Sequence, residues 1–343
     1  MSATIKDIKE ETGLSLATIS KYLNGGNVLP ENRQKIEAAI KKLHYEVNEI
    51  ARGLVTNSTR TIGVSVFEIA DIFNGVLIHH IGRELSKFGY GMMVVDAAND
   101  PEKEASNIRF LVNKKVDGII MVPGSMDSSV MDDAVKANIP IVLIDGKYRD
   151  KSFDSVTINN REAAASIVDY LMRRGHEKIA FIGSDASYTA NERLKGYREA
   201  MDDEGLKLRE EYQFVGDLST EYGYKAMNEL MQLENRPTAV ISANYELNLG
   251  VVMAMNESQI SYPDEISVVG FDNLILSQVL STSLTVVEQP MERFGVKGVE
   301  ILMKRIREKK KEKPEEEKEY INIILNTHLI EGGSVKDLSN SEF

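Results

Sequence analysis

Residues 4–24, TIKDIKEETGLSLATISKYLN, decide how the chain is read. Thr4 followed three residues later by Asp7 is capping-box spacing, and Ile5 and Ile8 fall on one helical face that Gly13 ends. A second helix is expected at once, over 15–24, with Ile19, Tyr22 and Leu23 apolar and Gly25-Gly26 as its stop. Pro30 suits the first turn of a third helix carrying Ile36, Ile40 and Leu43 as a stripe. Two short helices across a Gly-containing turn, closed by a third, form a helix-turn-helix unit. No acidic residue lies between Thr12 and Pro30, so the second helix can approach phosphate without like-charge repulsion.

The rest of the chain has the opposite electrostatic character. The 343 residues carry a net charge of −12, which taken whole argues against nucleic acid. Residues 1–60 hold nine Lys/Arg and seven Asp/Glu, a net of +2, whereas the remainder holds 32 against 46, a net of −14. A mildly basic head thus precedes an acidic body, and such asymmetry points to separate jobs. Hydrophobic content of 42% supports sizeable cores. The absence of cysteine removes disulfides, thiolate nucleophiles and Cys-based metal sites. The polar stretch 1–11 is unlike a signal peptide and no apolar run reaches the roughly 18 residues of a membrane span, so a soluble cytoplasmic protein is expected.

Residues 46–60 contain few apolar positions and read as a linker with marginal helical character. From Arg60 onward short apolar runs alternate with helical patterns. Strands are expected at 62–67, 92–95, 118–122 and 139–144, with helices near 74–89, 101–115 and 126–138. A second series has strands at 179–182, 212–215, 239–242, 266–271 and 284–287, with helices near 161–174, 191–204, 221–233 and 245–257. Repeated β-α units imply parallel sheets, so the fold class is α/β with two successive doubly wound lobes. Ligands in such folds bind beyond the carboxyl ends of the strands, and a cleft between lobes is a favoured small-molecule site. The charge run within 305–319 reads as an exposed, solvated helix end.

Several motifs together resemble one family. Thr4-Ile5-Lys6-Asp7-Ile8, Gly13-Leu14-Ser15, Ala17-Thr18-Ile19-Ser20-Lys21 and Leu23-Asn24 are similar to the start of LacI/GalR-family repressors. Arg33, Leu43, Tyr45, Asn48, Ala51-Arg52 and Leu54 fall at that family's spacing, and Ile62-Gly63-Val64 opens the body as it does there. The stretches 173–183, Glu192-Arg193, Gly196-Tyr197, 266–272 and 284–290 resemble the periplasmic sugar-binding-protein-like body of the same family. The likeness extends to about residue 335.

The resemblance implies a homodimeric repressor whose heads read a near-palindromic double-stranded operator and whose body holds a small effector, often a sugar or nucleobase. It implies a head over 1–46, a hinge over 47–60, a first subdomain of 61–160 with 291–324, and a second of 161–290 with 325–343. The chain would cross between subdomains near 160, 290 and 325. DNA contacts are expected from Thr4, Ser15, Leu16, Ala17, Thr18, Ser20, Lys21, Asn24, Asn48, Ala51 and Leu54. Short hydroxyls can hold phosphates, Ser15 serving as a helix cap as well. Lys21 can reach guanine acceptors, although the family more often has Arg, and Lys is a point charge rather than a planar fork. Leu54 would wedge into the minor groove from a hinge that folds on binding. Val47 stands where the family often has proline.

The resemblance also implies effector contacts from Phe73, Arg193, Asn244, Asp272 and Gln289. Asp272 ends a strand, and the Arg193 guanidinium offers several donors in a rigid fork. Three positions depart from the family: Tyr245 replaces an aspartate, Leu218 an aromatic and Ile72 a proline, which puts the ligand's identity in question. Tyr188, Tyr222 and Tyr245 could supply stacking faces, with ordinary packing the expected role of any one of them. No metal site and no cofactor are expected. A sugar-transport protein would leave residues 1–60 unused, and an enzyme lacks a G-x-G-x-x-G, Walker loop, nucleophile elbow or metal-ligand cluster. A catabolite-control-type regulator answering to a phosphocarrier protein is the alternative. With no leucine heptad after Gly332-Gly333-Ser334, a dimer is the expected assembly.

Overall fold

The computed structural model describes residues 3–23, 25–45, 58–272, 279–309 and 319–339. They divide into two compact units, residues 1–59 and 60–343.

The first unit contains α1 (Ile5–Thr12), α2 (Leu16–Leu23) and α3 (Pro30–Leu43). The Thr4 N–H donates to Asp7 Oδ2 at 2.7 Å, and the Thr4 hydroxyl to the same oxygen at 2.9 Å. Gly13 closes α1 at φ 68°, a left-handed conformation that glycine adopts freely. Ser15 caps α2 by accepting from the Thr18 N–H at 3.1 Å. Ile8, Ile19, Ile36 and Ala39 form the small core where the three helices meet. The Tyr22 hydroxyl and Arg33 both donate to Glu37, tying α2 to α3 from outside.

The second unit holds two six-stranded sheets. In the first, β1 (Thr61–Val66), β2 (Gly91–Asp96), β3 (Gly118–Met121), β4 (Ile141–Ile144), β5 (Asp154–Ile158) and β11 (Asn322–Leu325) run in the order β11-β5-β4-β3-β1-β2, all parallel. In the second, β6 (Ile179–Gly183), β7 (Gln213–Val215), β8 (Ala239–Ser242), β9 (Ser267–Phe271), β10 (Thr285–Glu288) and β12 (His328–Ile330) run β12-β10-β9-β8-β6-β7, with only β12 antiparallel. The apolar runs are buried because helices cover the sheets: α4 (Ile72–Lys87), α5 (Pro101–Asn113), α6 (Asp132–Lys136) and α11 (Met291–Lys309) on the first; α7 (Asn160–Met172), α8 (Tyr188–Asp203), α9 (Thr220–Gln232) and α10 (Tyr245–Glu257) on the second. The described chain passes between the lobes after β5, after β10 and after β11.

The structure departs from the sequence expectations in particular places. β5 was not anticipated, because Asp154, Ser155 and Thr157 interrupt its apolar pattern. All three are buried, since Asp154 accepts two bonds of 2.7 Å from Arg305 and Ser155 donates to Asn322 at 2.7 Å. This also corrects the reading of 305–319 as wholly solvated: Arg305 is one-tenth exposed and anchors α11 to β5. The helix expected over 126–138 is a single 3₁₀ turn, Ser128–Met131, followed by the short α6. The tail after β12 is stitched into the second lobe. Buried His176 bonds Thr238 and the Lys336 carbonyl, and the Ser334 hydroxyl accepts from the Thr285 N–H and donates to the Val268 carbonyl.

Candidate functional site

In the head, Ser15, Leu16, Ala17 and Lys21 are exposed and Thr18 and Ser20 half-buried. Ser15 and Thr18 share a hydroxyl–hydroxyl bond of 2.9 Å. Whichever donates, the other keeps its proton, so the pair has a hydroxyl donor to offer a phosphate. Thr4 differs, since both its N–H and hydroxyl are already spent on Asp7. Asn24, Asn48, Ala51 and Leu54 lie outside the described residues.

In the body, a cleft of about 730 Å³ opens between the carboxyl ends of the two parallel sheets. Phe73, Arg193, Asn244, Asp272 and Gln289 all line it. Each is held by identifiable local chemistry. Arg193 projects from α8, whose close seat on α7 needs Gly196: a Cβ there would stand 2.1 Å from the Arg161 carbonyl oxygen. Its Nε donates to Asn160 Oδ1 at 2.9 Å, its Nη1 to the Ala243 carbonyl, and its plane lies over Phe271, 4.0 Å from the ring centroid. Asp272 leaves β9 at φ 74°, in the left-handed region that costs a non-glycine residue strain. One carboxylate oxygen accepts from the Tyr245 N–H at 3.1 Å, the other from Gln289 Nε2 at 2.5 Å. Asn248, donating to the Phe271 carbonyl at 2.6 Å and bonded to Ser242, locks the ends of β8 and β9 together. Gly270 makes room for it, since a Cβ there would lie 2.0 Å from Asn248 Oδ1.

Among the described residues, three buried polar atoms on cleft-lining residues have no partner: Ser125 Oγ, Arg193 Nη2 and Gln289 Oε1, the last two on residues 3% and 6% exposed. Buried polar groups are normally bonded, so an unpaired donor and an unpaired acceptor in one cleft suit a ligand that supplies both. Phe73 packs edge-on against Phe294 in the first lobe's core and presents a rigid apolar wall. Asn244 is less available. Its Oδ1 caps α10 through Leu247, and its Nδ2 donates to Glu246 Oε2 at 3.0 Å. Tyr188, Tyr222 and Tyr245 are not among the lining residues, in keeping with the ordinary packing expected of each. Tyr245 is buried and contributes its backbone to Asp272 instead.

Among the lining carboxylates that the sequence reading missed, three interact electrostatically with Asp272. Asp145 immediately follows β4, and its φ of 53° matches the left-handed exit of Asp272. Its place just beyond a strand end, like that of Asp272, is the signal in the sequence that could have found it. The Thr189 hydroxyl donates to the Asp145 carbonyl at 2.7 Å, bridging the lobes. Asp71 caps α4 by accepting from the Phe73 N–H at 2.7 Å, and Glu246 sits in the first turn of α10. Burial and the neighbouring Asp272 push Asp71 up to about 6. Burial, only partly opposed by Arg193, pushes Asp145 up to about 7. Burial and the charge of Asp71 push Glu246 up to about 8. Burial also raises Asp272, against the lowering effect of Arg193 and Gln289.

Residues 4–48 match the family of bacterial regulatory proteins, lacI family, and residues 168–335 match a periplasmic binding protein-like domain. Catabolite control protein A of Priestia megaterium is 32% identical over 307 residues, covering 89% of this chain and 92% of that protein. The chain belongs to the lacI family of bacterial transcriptional regulators. The HTH-type transcriptional repressor PurR of Vibrio cholerae (strain M66-2) is 32% identical over 343 residues, covering 99% of this chain and 100% of that one. Among solved structures, the complex of the transcriptional regulator CelR with cellobiose superposes with a TM-score of 0.73 at 25% identity, covering 97% of this chain and 99% of that one. This lacI-family chain is thus a DNA-binding transcriptional regulator rather than an enzyme, with an α/β body of the periplasmic-binding-protein kind. No helix among the described residues is long and apolar enough to cross a membrane.

Proposed function

We propose that this lacI-family member is a repressor that binds a near-palindromic operator as a homodimer, under the control of a small polyhydroxyl effector in the body's cleft. The observation that carries this reading is the pair of orphaned, buried polar atoms, Arg193 Nη2 and Gln289 Oε1, in the wall of a ligand-sized cleft. The ligand in the CelR complex, cellobiose, supports a sugar or sugar derivative. Residues 1–46 act as the head and 47–60 as the hinge. Residues 61–160 with 291–324, and 161–290 with 325–343, act as the two effector subdomains. Ser15, Leu16, Ala17, Thr18, Ser20, Lys21 and Asn24 read or hold DNA from the head, with Thr4 beside them once its bond to Asp7 is exchanged. Asn48, Ala51 and Leu54 act from the hinge. Phe73, Arg193, Asn244, Asp272 and Gln289 hold the effector.

Effector binding biases the lobes, and through the hinge the ordering of the heads on DNA. Such coupling is typically about 1–3 kcal/mol. The likeness to catabolite control protein A supports a second reading, control by a protein partner. The cleft's unpaired groups favour the first. The test is a thermal-shift screen with sugars, sugar phosphates and nucleobases, followed by operator titration with each hit. A ligand at 100 times its Kd adds about 2.7 kcal/mol of stability. A hit that also shifts operator affinity upholds the effector reading; hits in no class, with a phosphocarrier protein that binds, uphold the second.

A further inference from the structure

We propose that the cleft selects a cationic, amine-bearing polyhydroxyl compound and rejects phosphate esters. The inference rests on the reading of this cleft as the effector site. Its inner wall sets four carboxyl groups around the space, Asp71 and Asp145 from the first lobe and Glu246 and Asp272 from the second. The lining also includes Glu68, Asp100, Glu104, Asp217 and Glu221. Against these, Arg193 is the sole basic residue lining the cleft among the described residues. The bonds that hold the inner carboxylates come mostly from neutral donors: the N–H of Phe73 to Asp71, the Tyr245 N–H and Gln289 amide to Asp272, the Asn244 amide to Glu246. Among the described residues no lysine or arginine forms an ion pair with any of the nine. Neutral donors satisfy lone pairs but supply no charge, so Arg193, which favours the charged forms of Asp145 and Asp272, is the one counter-charge to the nine among the described lining residues.

The orphaned pair specifies the rest of the ligand. Arg193 Nη2 needs an acceptor and Gln289 Oε1 needs a donor, and hydroxyl groups supply both. Phe67 and Phe73 offer apolar faces for a carbon skeleton. An ammonium group on that skeleton supplies the missing positive charge. The raised values of Asp71, Asp145 and Glu246, which come first from burial and then from neighbouring carboxylates, agree, since a cation among them favours their charged forms. A phosphate would gain one guanidinium and meet all of the carboxylates.

The test uses the full chain and three matched sets of probes: the amines glucosamine and N-methylglucamine, their neutral parents glucose and sorbitol, and the phosphate esters of those parents. Calorimetry and thermal shift are expected to show at least one amine bound about tenfold or more tightly than its parent, with no binding of the esters. For N-methylglucamine, whose amine stays protonated, affinity rises between about pH 6 and about pH 8 as the raised carboxyls ionise. Glu246→Gln and Asp71→Asn, each checked for a native melt, reduce the amine preference severalfold. A parent or ester that binds as tightly as its amine overturns the inference and leaves the cleft reading standing. An amine preference unchanged in both native-like variants also overturns it. If amines, parents and esters all fail to bind, the inference and the cleft reading fall together.

Discussion

The head and the cleft are both built to bind, yet they treat polar groups in opposite ways. On α2 the candidate contacts lie at the surface, where Leu16 is 39% exposed and the hydroxyls of Ser15 and Thr18 bond locally. In the cleft Arg193, Asp272 and Gln289 are almost fully buried, and two of their polar atoms have nothing to bond. A long polyanion must be met from outside, by groups that water keeps satisfied until the duplex arrives. A small molecule can be enclosed, so its site can hold unsatisfied groups in place until it binds, at a cost in stability. The first site depends on a correctly folded surface; the second depends on strain and charge stored inside a stable body.

The largest expected effect probes the weaker structure. Ile19→Ala removes a core side chain from a head whose core holds four buried apolar residues among the described ones, and a loss of about 2–5 kcal/mol unfolds so small a module. Operator binding should vanish while the body's melt is unchanged, and a head that retains affinity would break the comparison. Arg193→Ala does the converse. It removes the bonds to Asn160 and the Ala243 carbonyl and the packing on Phe271, at a cost of about 1–3 kcal/mol to the body, read by urea unfolding, with the head still able to bind DNA. Next comes Leu54→Ala, which should lower specific operator affinity by roughly 1–3 kcal/mol while sparing ligand binding. Unchanged operator affinity would remove the wedge from the account. Lys21→Ala should cost a similar or smaller amount, about 1–3 kcal/mol if a guanine contact is lost. It should also reduce the salt slope by about 1 if the contact is to phosphate.

The smallest effect is a pH dependence. Asp71, Asp145 and Glu246 bind protons more tightly folded than unfolded, so between their ordinary range and about 6 to 8 the unfolded chain holds fewer protons. Their contribution to stability is fully present at acid pH and is lost as pH rises through those values. Ligand-free protein should therefore lose stability toward about pH 8, and Glu246→Gln should flatten the decline. An unchanged slope in the variant would show that Glu246 is not charged against its neighbours.

Much of this was legible in the sequence where the physics is local. Capping at Thr4 and Ser15 and the turn at Gly13 depend on residues a few positions apart. The buried parallel strands announce themselves as apolar runs. β5 did not, because its polar residues are satisfied by Arg305 and Asn322, more than 150 positions away. The cleft divides along the same line. Arg193, Asp272 and Gln289 came from motif resemblance, and the structure gathers them at one wall. Asp71 and Glu246 each begin a helix, where an acid ordinarily needs no explanation. Only the apposition of the lobes shows that they face one another.

The central claim is that these two unlike sites are coupled. The most direct measurement is fluorescence anisotropy of a labelled operator duplex with the full chain, without and then with a saturating cleft ligand, its occupancy confirmed by calorimetry. A coupling of about 1–3 kcal/mol predicts a change in operator affinity of roughly 5- to 150-fold, in either direction. A cleft demonstrably filled, with operator affinity unmoved, would contradict the account.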